Sequence, residues 1–438
     1  MLSIRNIAAL GFMTFAMYLG AGNLIFPPFL GYQSGGNVFS GMVGFLLTGV
    51  GLPAFALVMV ALVKGSDNLT SMLPQSLATS FWVLVFIVIG PAFVIPRAIT
   101  VAYQFSFAPF LGDSALLPFT LAFCLVTVGF SLYPGKLINS LGKWLTPALL
   151  VILTIMAIFA CVFPGGEVLE VKGAYINGAM AEGLTQGYMT MDALGSIGFG
   201  WVIFRAIESM GVKCPKATAK YTLIAAMIYA VGMALVYIVL AYIGVTSANL
   251  GTDFSNGGEI LTAFTTFHFG VLGTLLLGSV MLLACLTTSI GVATAGSEFY
   301  SRTFSAVSYR KSVWLTMLLA GVIANMGLEQ LLAITLPVVV ALHPIAIALL
   351  LIAPLQKYIS SRAVLGVMLV ATVFGAMDAV HILGYMPTEM NDFYASYLPL
   401  YNEFAGWVTP TVIAIGLGLM LSMLVGRNAS SGNATISD

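Results

Sequence analysis

Charge is scarce in this chain. Of its 438 residues only 7% are Asp, Glu, Lys or Arg, while 60% are hydrophobic. A water-facing surface calls for about 25% charged residues, so most of this surface faces something other than water. Lys and Arg (16) balance Asp and Glu (16), and no basic tract occurs, which excludes a nucleic-acid footprint. Cysteine is thin as well. Cys124, Cys161, Cys214 and Cys285 stand far apart, with neither zinc spacing nor the pattern of a disulfide framework. They read as small buried hydrophobes. No Ser/His/Asp, His/Glu or Cys/His cluster occurs at nucleophile or metal spacing, so an enzyme acting inside the membrane lacks its constellation. A soluble domain and a P-loop are missing too, so any transport must be driven by gradients or by a partner chain. Nor is there a convincing cleavage site where the first apolar stretch runs into Gly20-Ala21-Gly22-Asn23 and Pro27-Pro28. That stretch is expected to stay as a membrane helix.

What is present is apolar sequence in lengths near the roughly 20 residues that cross a bilayer. Twelve transmembrane helices are predicted, at 7–30, 38–63, 78–105, 115–133, 143–163, 186–207, 219–244, 270–301, 312–326, 328–353, 363–384 and 405–426. The fold class is thus all-α membrane. Charge supports the count independently, because cytoplasmic loops carry excess Lys and Arg. With the N-terminus inside, 14 of the 16 basic residues collect on the cytoplasmic side, among them Lys136, Arg205, Lys213, Arg302 and Arg427. Lys172 alone stays outside, and Arg97 falls within the third segment. Most carboxylates, including Glu167, Asp253 and Glu389, fall outside. Both termini are therefore expected to be cytoplasmic. The polar tail, 428–438, is expected to be disordered.

Two segments look broken. Gly20-Ala21-Gly22-Asn23, followed by Pro27 and Pro28, sits halfway along the first. Glycine costs a helix interior about 1 kcal/mol relative to alanine, and backbone opened within a membrane is tolerated where it lines a cavity. Freed N–H groups there hold a carboxylate and freed carbonyls a cation; alternatively, the glycines only permit close helix packing. The sixth segment repeats the theme at Gly195, Ser196, Gly198, Phe199 and Gly200. Five helices separate the two interruptions, the spacing of two five-helix halves, and matched interruptions point to a transporter binding site. In the eighth segment Thr287, Thr288 and Ser289 bring three consecutive hydroxyls into an apolar run. Hydroxyl oxygens are neutral ligands suited to a small monovalent cation, although they also bond back to their own helix. Arg97, Asp192 and Asp378 fall inside membrane segments, each at a cost of about 2.5–3.5 kcal/mol unless paired or hydrated. Asp378 and His381 share a helical face and are expected to bond each other. Glu298 and Arg302 are spaced as a helical ion pair.

Gly20 through Pro28, Gly90-Pro91 through Pro96-Arg97, Thr190-Met191-Asp192 and Leu286 through Ser289 together resemble the bacterial branched-chain amino acid:cation symporters, over nearly the whole chain. The first and eighth helices also resemble those of sodium-coupled transporters with the LeuT fold. That resemblance implies a 5+5 inverted repeat, about 7–163 and 186–353, plus extra helices at 363–426, all in one domain over 1–427 with discontinuous first and sixth helices. It implies a sodium ion between the carbonyls of Ala16, Leu19 and Ala284 and the hydroxyls of Thr287 and Thr288. It places a substrate carboxylate on the amides of Gly20, Ala21, Gly22 and Asn23, with Gly195, Ser196, Gly198 and Phe199 completing the pocket. Arg97, Asp192 and Asp378 are candidates for coupling or gating. The chain departs from the sodium-coupled neurotransmitter transporters, which carry an arginine just past the first-helix asparagine where Ile25 and Phe26 stand here. The implied activity is sodium-coupled import of leucine, isoleucine and valine across the inner membrane. Sodium is the one ion required, with no cofactor, nucleic acid or obligatory protein partner. The rival is proton coupling through Asp192 or Asp378. A channel or receptor would instead conduct ions or bind ligand without moving it.

Overall fold

The computed structural model describes residues 2–133, 143–251, 253–402 and 404–432. Lys136 and tail residues 433–438 lie outside them. The described residues form helices without strands. The Ser3 hydroxyl caps α1 (Ile4–Tyr18), accepting from the Asn6 amide at 3.3 Å, and so satisfies one of the N–H groups a helix start leaves free. Helical geometry then stops: Leu19 takes ψ 85° and Gly20 takes φ −113°, ψ −166°. It resumes in α2 (Ala21–Ser34), with Pro27 and Pro28 inside it. Those prolines cannot donate to the carbonyls one turn back, at Asn23 and Leu24. The break is thus shorter than the sequence suggests. Ala21, Gly22 and Asn23 are not unwound; they form the first turn of α2.

Wide turns at Leu47–Gly51 and Val88–Ala92 join α3 (Val38–Leu46) to α4 (Leu52–Leu62), and α5 (Gln75–Ile87) to α6 (Val94–Ser106). At the second of these Gly90 leaves helical geometry beside Pro91, which aims α6 and its Arg97 at the interior. After α7 (Ala108–Leu111), α8 (Leu116–Ser131) and α9 (Thr146–Val162) come α10 (Tyr175–Tyr188) and α11 (Asp192–Ser209). The sixth segment, expected from 186, therefore begins earlier. Asn177, Glu182 and Gln186 hide α10 from a hydropathy count. The interruption is also displaced. It falls at Met189–Met191, with Met191 left-handed at φ 63°, whereas Gly195, Gly198 and Gly200 lie inside continuous α11.

The remaining helices are α12 (Pro215–Val245), α13 (Gly257–Phe269), α14 (Val271–Thr303), α15 (Tyr309–Ala324), α16 (Leu328–Ile352), α17 (Ser361–Ile382), α18 (Thr388–Tyr397) and α19 (Val408–Gly432). Gly327, at φ +92°, makes the turn that separates α15 from α16. α19 runs on to Gly432, past the point where the sequence suggests a disordered tail. Among the described residues seven helical segments are long and apolar enough to cross a membrane, and Leu116–Ser131 and Val408–Leu424 are shorter apolar helices. Cys285 is buried as expected, whereas Cys161 and Cys214 are exposed.

By compactness the chain divides into two units: Met1–Ala61 with Val83–Ala333, and Leu62–Trp82 with Ile334–Asp438. Inside the first, α2 and α12 approach backbone to backbone. A Cβ on Gly244 would stand 1.9 Å from the Pro28 carbonyl oxygen, and one on Gly31 2.0 Å from that of Ala241. In lipid, where apolar burial does not drive helices together, small residues of this kind permit association by close packing. Inside the second unit Trp82 Nε1 donates to Thr70 Oγ1 at 3.0 Å, and Gln356 Nε2 to the Asn68 carbonyl at 3.1 Å. Asp378 does not bond His381. Its Oδ2 accepts from the Trp407 amide at 3.4 Å, and the His381 ring stacks on Tyr401 at 4.4 Å. The start of α19 needs an acceptor for its free N–H groups, and Asp378 supplies it.

Candidate functional site

Both interruptions of the first unit open onto one cavity. Met17, Tyr18, Gly20, Ala21 and Asn23 line it from the first, and Thr190, Met191, Asp192, Gly195 and Phe199 from the second. Ile89, Val94, Arg97 and Ala98 close it from the α5–α6 bend, and Thr288 and Val292 from α14. Its volume is about 20 Å³, room for about one water. Anything larger than a water enters only if these walls separate.

The polar end is a buried network. Asn23 Nδ2 donates to Asp192 Oδ2 and to the Tyr237 hydroxyl, both at 2.5 Å, and Tyr237 donates to the same carboxylate oxygen at 3.2 Å. Asn23 Oδ1 in turn accepts from the Gly20 amide at 3.2 Å. One side chain thus closes the first break on itself and fastens it to the start of α11. Across the cavity Arg97 is 3% exposed. It donates to the carbonyls of Met189 and Thr190 at 3.3 and 3.5 Å and lies 5.9 Å from the Phe26 ring centre. Those carbonyls end α10, where the missing next turn leaves acceptors free and the helix carries its negative end.

Below the first break lies a second cluster. Thr287 Oγ1 donates to the Ala16 carbonyl at 2.8 Å or to that of Ala284 at 3.0 Å. Thr288 Oγ1 is buried without a hydrogen-bond partner, and Leu19 sits in the non-helical link beside them. The one Thr287 O–H therefore has an acceptor on its own helix and another on α1. The set Ala16, Ala284 and Thr287 is drawn together, with Thr288 on the cavity wall and Leu19 at the break.

Three expected pocket residues, Ser196, Gly198 and Gly22, are not on the cavity wall. Ser196 does not line the cavity; it accepts from the Tyr18 hydroxyl at 2.8 Å and donates to the Asp192 carbonyl at 2.8 Å. Gly198 packs under Phe86, whose ring stands 2.8 Å from the place of its missing Cβ. Both follow from the continuity of α11, which turns these positions away. Gly22 also lies off the cavity wall, under the Arg97 guanidinium. Asp378 belongs to the second unit and lines no part of this cavity. Tyr237 went unnoticed in the sequence; its signal is a hydroxyl eight residues after Tyr229 in the apolar stretch of α12. At the far end of α11, Glu298 Oε1 accepts from Arg205 Nε at 2.9 Å and from Arg302 at 3.2 Å, so the expected helical pair includes a third charge.

Residues 3–425 match the model of the branched-chain amino acid transport protein family. The chain belongs to that family. It is a membrane transporter and not an enzyme. Among its relatives, the branched-chain amino acid transport system 2 carrier protein of Pseudomonas aeruginosa is 40% identical over 96% of this chain and 97% of its own. The branched-chain amino acid permease of Escherichia coli K12 is 36% identical over 98% of each. Among solved structures, a Na+-coupled sialic acid symporter in a substrate-bound outward-open state superimposes with a TM-score of 0.58, at 13% identity, over 95% of this chain and 90% of that one. At that identity the likeness concerns the fold alone.

Proposed function

We propose that this transporter imports leucine, isoleucine and valine across a bacterial inner membrane, coupled to sodium, by alternating access. In this reading twelve spans cross the bilayer with both termini cytoplasmic. Two five-helix repeats are followed by two extra helices, α1 with α2 and α10 with α11 being the discontinuous first and sixth spans. The relatives named for branched-chain amino acids support the substrate. The apolar walls from Ile89, Val94, Phe199 and Val292 suit an aliphatic side chain.

The single observation that carries sodium coupling is the Thr287 hydroxyl held between the carbonyls of Ala16 and Ala284, next to the partnerless hydroxyl of Thr288. Hydroxyl and carbonyl oxygens are hard, neutral ligands, and a neutral set releases its ion in each cycle. Ala16, Leu19, Ala284, Thr287 and Thr288 form the proposed site. A sodium ion moving down 100 mV gains about 2.3 kcal/mol, and a tenfold gradient adds about 1.4 kcal/mol. Together they support roughly 500-fold accumulation.

The test is uptake of labelled leucine into proteoliposomes. Uptake should rise with an inward sodium gradient at fixed potential; equal uptake with and without the gradient rejects sodium. The alternative, proton coupling, draws on the burial of Asp192 among the neutral donors Asn23 and Tyr237. It requires uptake that persists without sodium and is lost in Asp192→Asn.

A further inference from the structure

We propose, on the functional reading just given, that Arg97 and Asp192 grip the two charges of a free α-amino acid, Arg97 binding the carboxylate and Asp192 the ammonium group. Each residue is a buried ionisable group with no oppositely charged group in contact. Arg97 has five N–H donors. It uses them in two long bonds to neutral carbonyls, and its Nε has no partner. Among the described residues it makes no ion pair. Asp192 is 7% exposed and is met by the neutral donors Asn23 and Tyr237. The two act on each other across the cavity without touching, and a buried ionised group is costly until an opposite charge meets it directly.

Both side chains line the same cavity without closing on each other. A zwitterion, with its two charges on one carbon, meets both needs at once. The position of Arg97 also fits the carboxylate. Its Nη2 stands 2.9 Å from where a Cβ on Gly22 would be, against the first turn of α2, whose free amides favour an anion. The carboxylate is thus shared between that turn and the guanidinium. The substrate class is narrower than an aliphatic side chain alone would set. Amines, amides and 2-oxo acids with the same side chain each lack one of the two charges.

The experiment is equilibrium binding of labelled leucine to the purified full-length chain, with leucinamide and 4-methylpentanoate as competitors. Leucinamide lacks the carboxylate charge and 4-methylpentanoate lacks the ammonium. In the unaltered protein each should compete more weakly than leucine by about tenfold to a hundredfold, the range of a lost charged hydrogen bond. Arg97→Gln should shrink the preference over leucinamide and leave that over 4-methylpentanoate; Asp192→Asn should do the reverse. Ratios that do not move in folded variants overturn the proposal, as does an unaltered protein that takes either analogue as tightly as leucine. Arg97 also steadies the end of α10, so Arg97→Gln is paired with Arg97→Lys, which keeps the charge and loses the fork. Lys should weaken leucine more than leucinamide, and equal weakening counts against the clamp. An unaltered protein that binds no leucine overturns the functional reading itself, whereas leucine binding with unmoved ratios overturns only the clamp.

Discussion

The Thr287 hydroxyl of α14 lies 2.8 Å from the Ala16 carbonyl oxygen of α1, across 271 positions of sequence. It joins the helix that ends at the first break to the longest of the described helices. Any movement of one against the other must stretch this contact. An ion seated there would therefore report on the relative position of the two helices.

Thr288→Ala should leave folding stability nearly unchanged, because the hydroxyl it removes has no partner. The sodium concentration for half-maximal leucine uptake should nonetheless rise, by about tenfold if one ligand oxygen is lost. Thr287→Ala should raise it as well and also lower the unfolding temperature. Sodium titration of uptake beside thermal unfolding checks both. An unchanged half-saturation in folded Thr288→Ala would place the ion elsewhere.

Asn23→Ala and Tyr237→Phe should not be additive. Both side chains share the Asp192 carboxylate, and members of one buried network couple by about 0.5–3 kcal/mol. A double-mutant cycle in thermal or denaturant stability measures the coupling, and simple additivity would argue against the network.

Gly244→Ala should be strongly destabilising, since the added methyl would meet the Pro28 carbonyl at 1.9 Å and overpacking of this kind costs about 1–3 kcal/mol. Gly366→Ala, in α17 with nothing within 4 Å, should cost nothing. The yield of folded protein and its melting temperature compare the two.

Phe199→Ala should widen the cavity beside Tyr18, whose ring packs edge-on at 4.9 Å. Bulkier amino acids should gain against valine, on the scale of about 1–3 kcal/mol per methylene accommodated. Competition against labelled leucine shows whether the ranking moves.

Asp378→Asn should lower stability modestly and leave the ion dependence of uptake unchanged, because its carboxylate serves the backbone of Trp407. A changed coupling ion in this variant would return Asp378 to the transport path.

Much of this was legible in the sequence, for reasons specific to each element. The apolar segments coincide with helices because lipid-facing length leaves a plain hydropathy signal. α10 is the exception, since its polar residues mask it. Gly20 marked the first break because glycine and the prolines beyond it each weaken the ladder. The second break was misplaced for the same reason. Gly195, Gly198 and Gly200 carry the same signal as Gly20 yet lie inside continuous α11, Gly195 on the cavity wall and Gly198 packed under Phe86, while Met191 breaks the helix without any glycine. A left-handed methionine leaves no mark in composition. The meeting of Asn23, Asp192 and Tyr237 was hidden because it joins residues 169 and 214 positions apart, and only packing brings them together.

Asn23 stands in the first turn of α2 and Asp192 opens α11, so the link between them joins two helix beginnings. Each such end carries roughly half a positive charge from its aligned peptide dipoles. Together they come to about one unit, which steadies the Asp192 carboxylate but gives it no charged group in contact. A chain with few ionisable side chains thereby gains a local electric field from its backbone. That field needs no proton to exist, persists at any pH, and is altered only by moving the helices that make it.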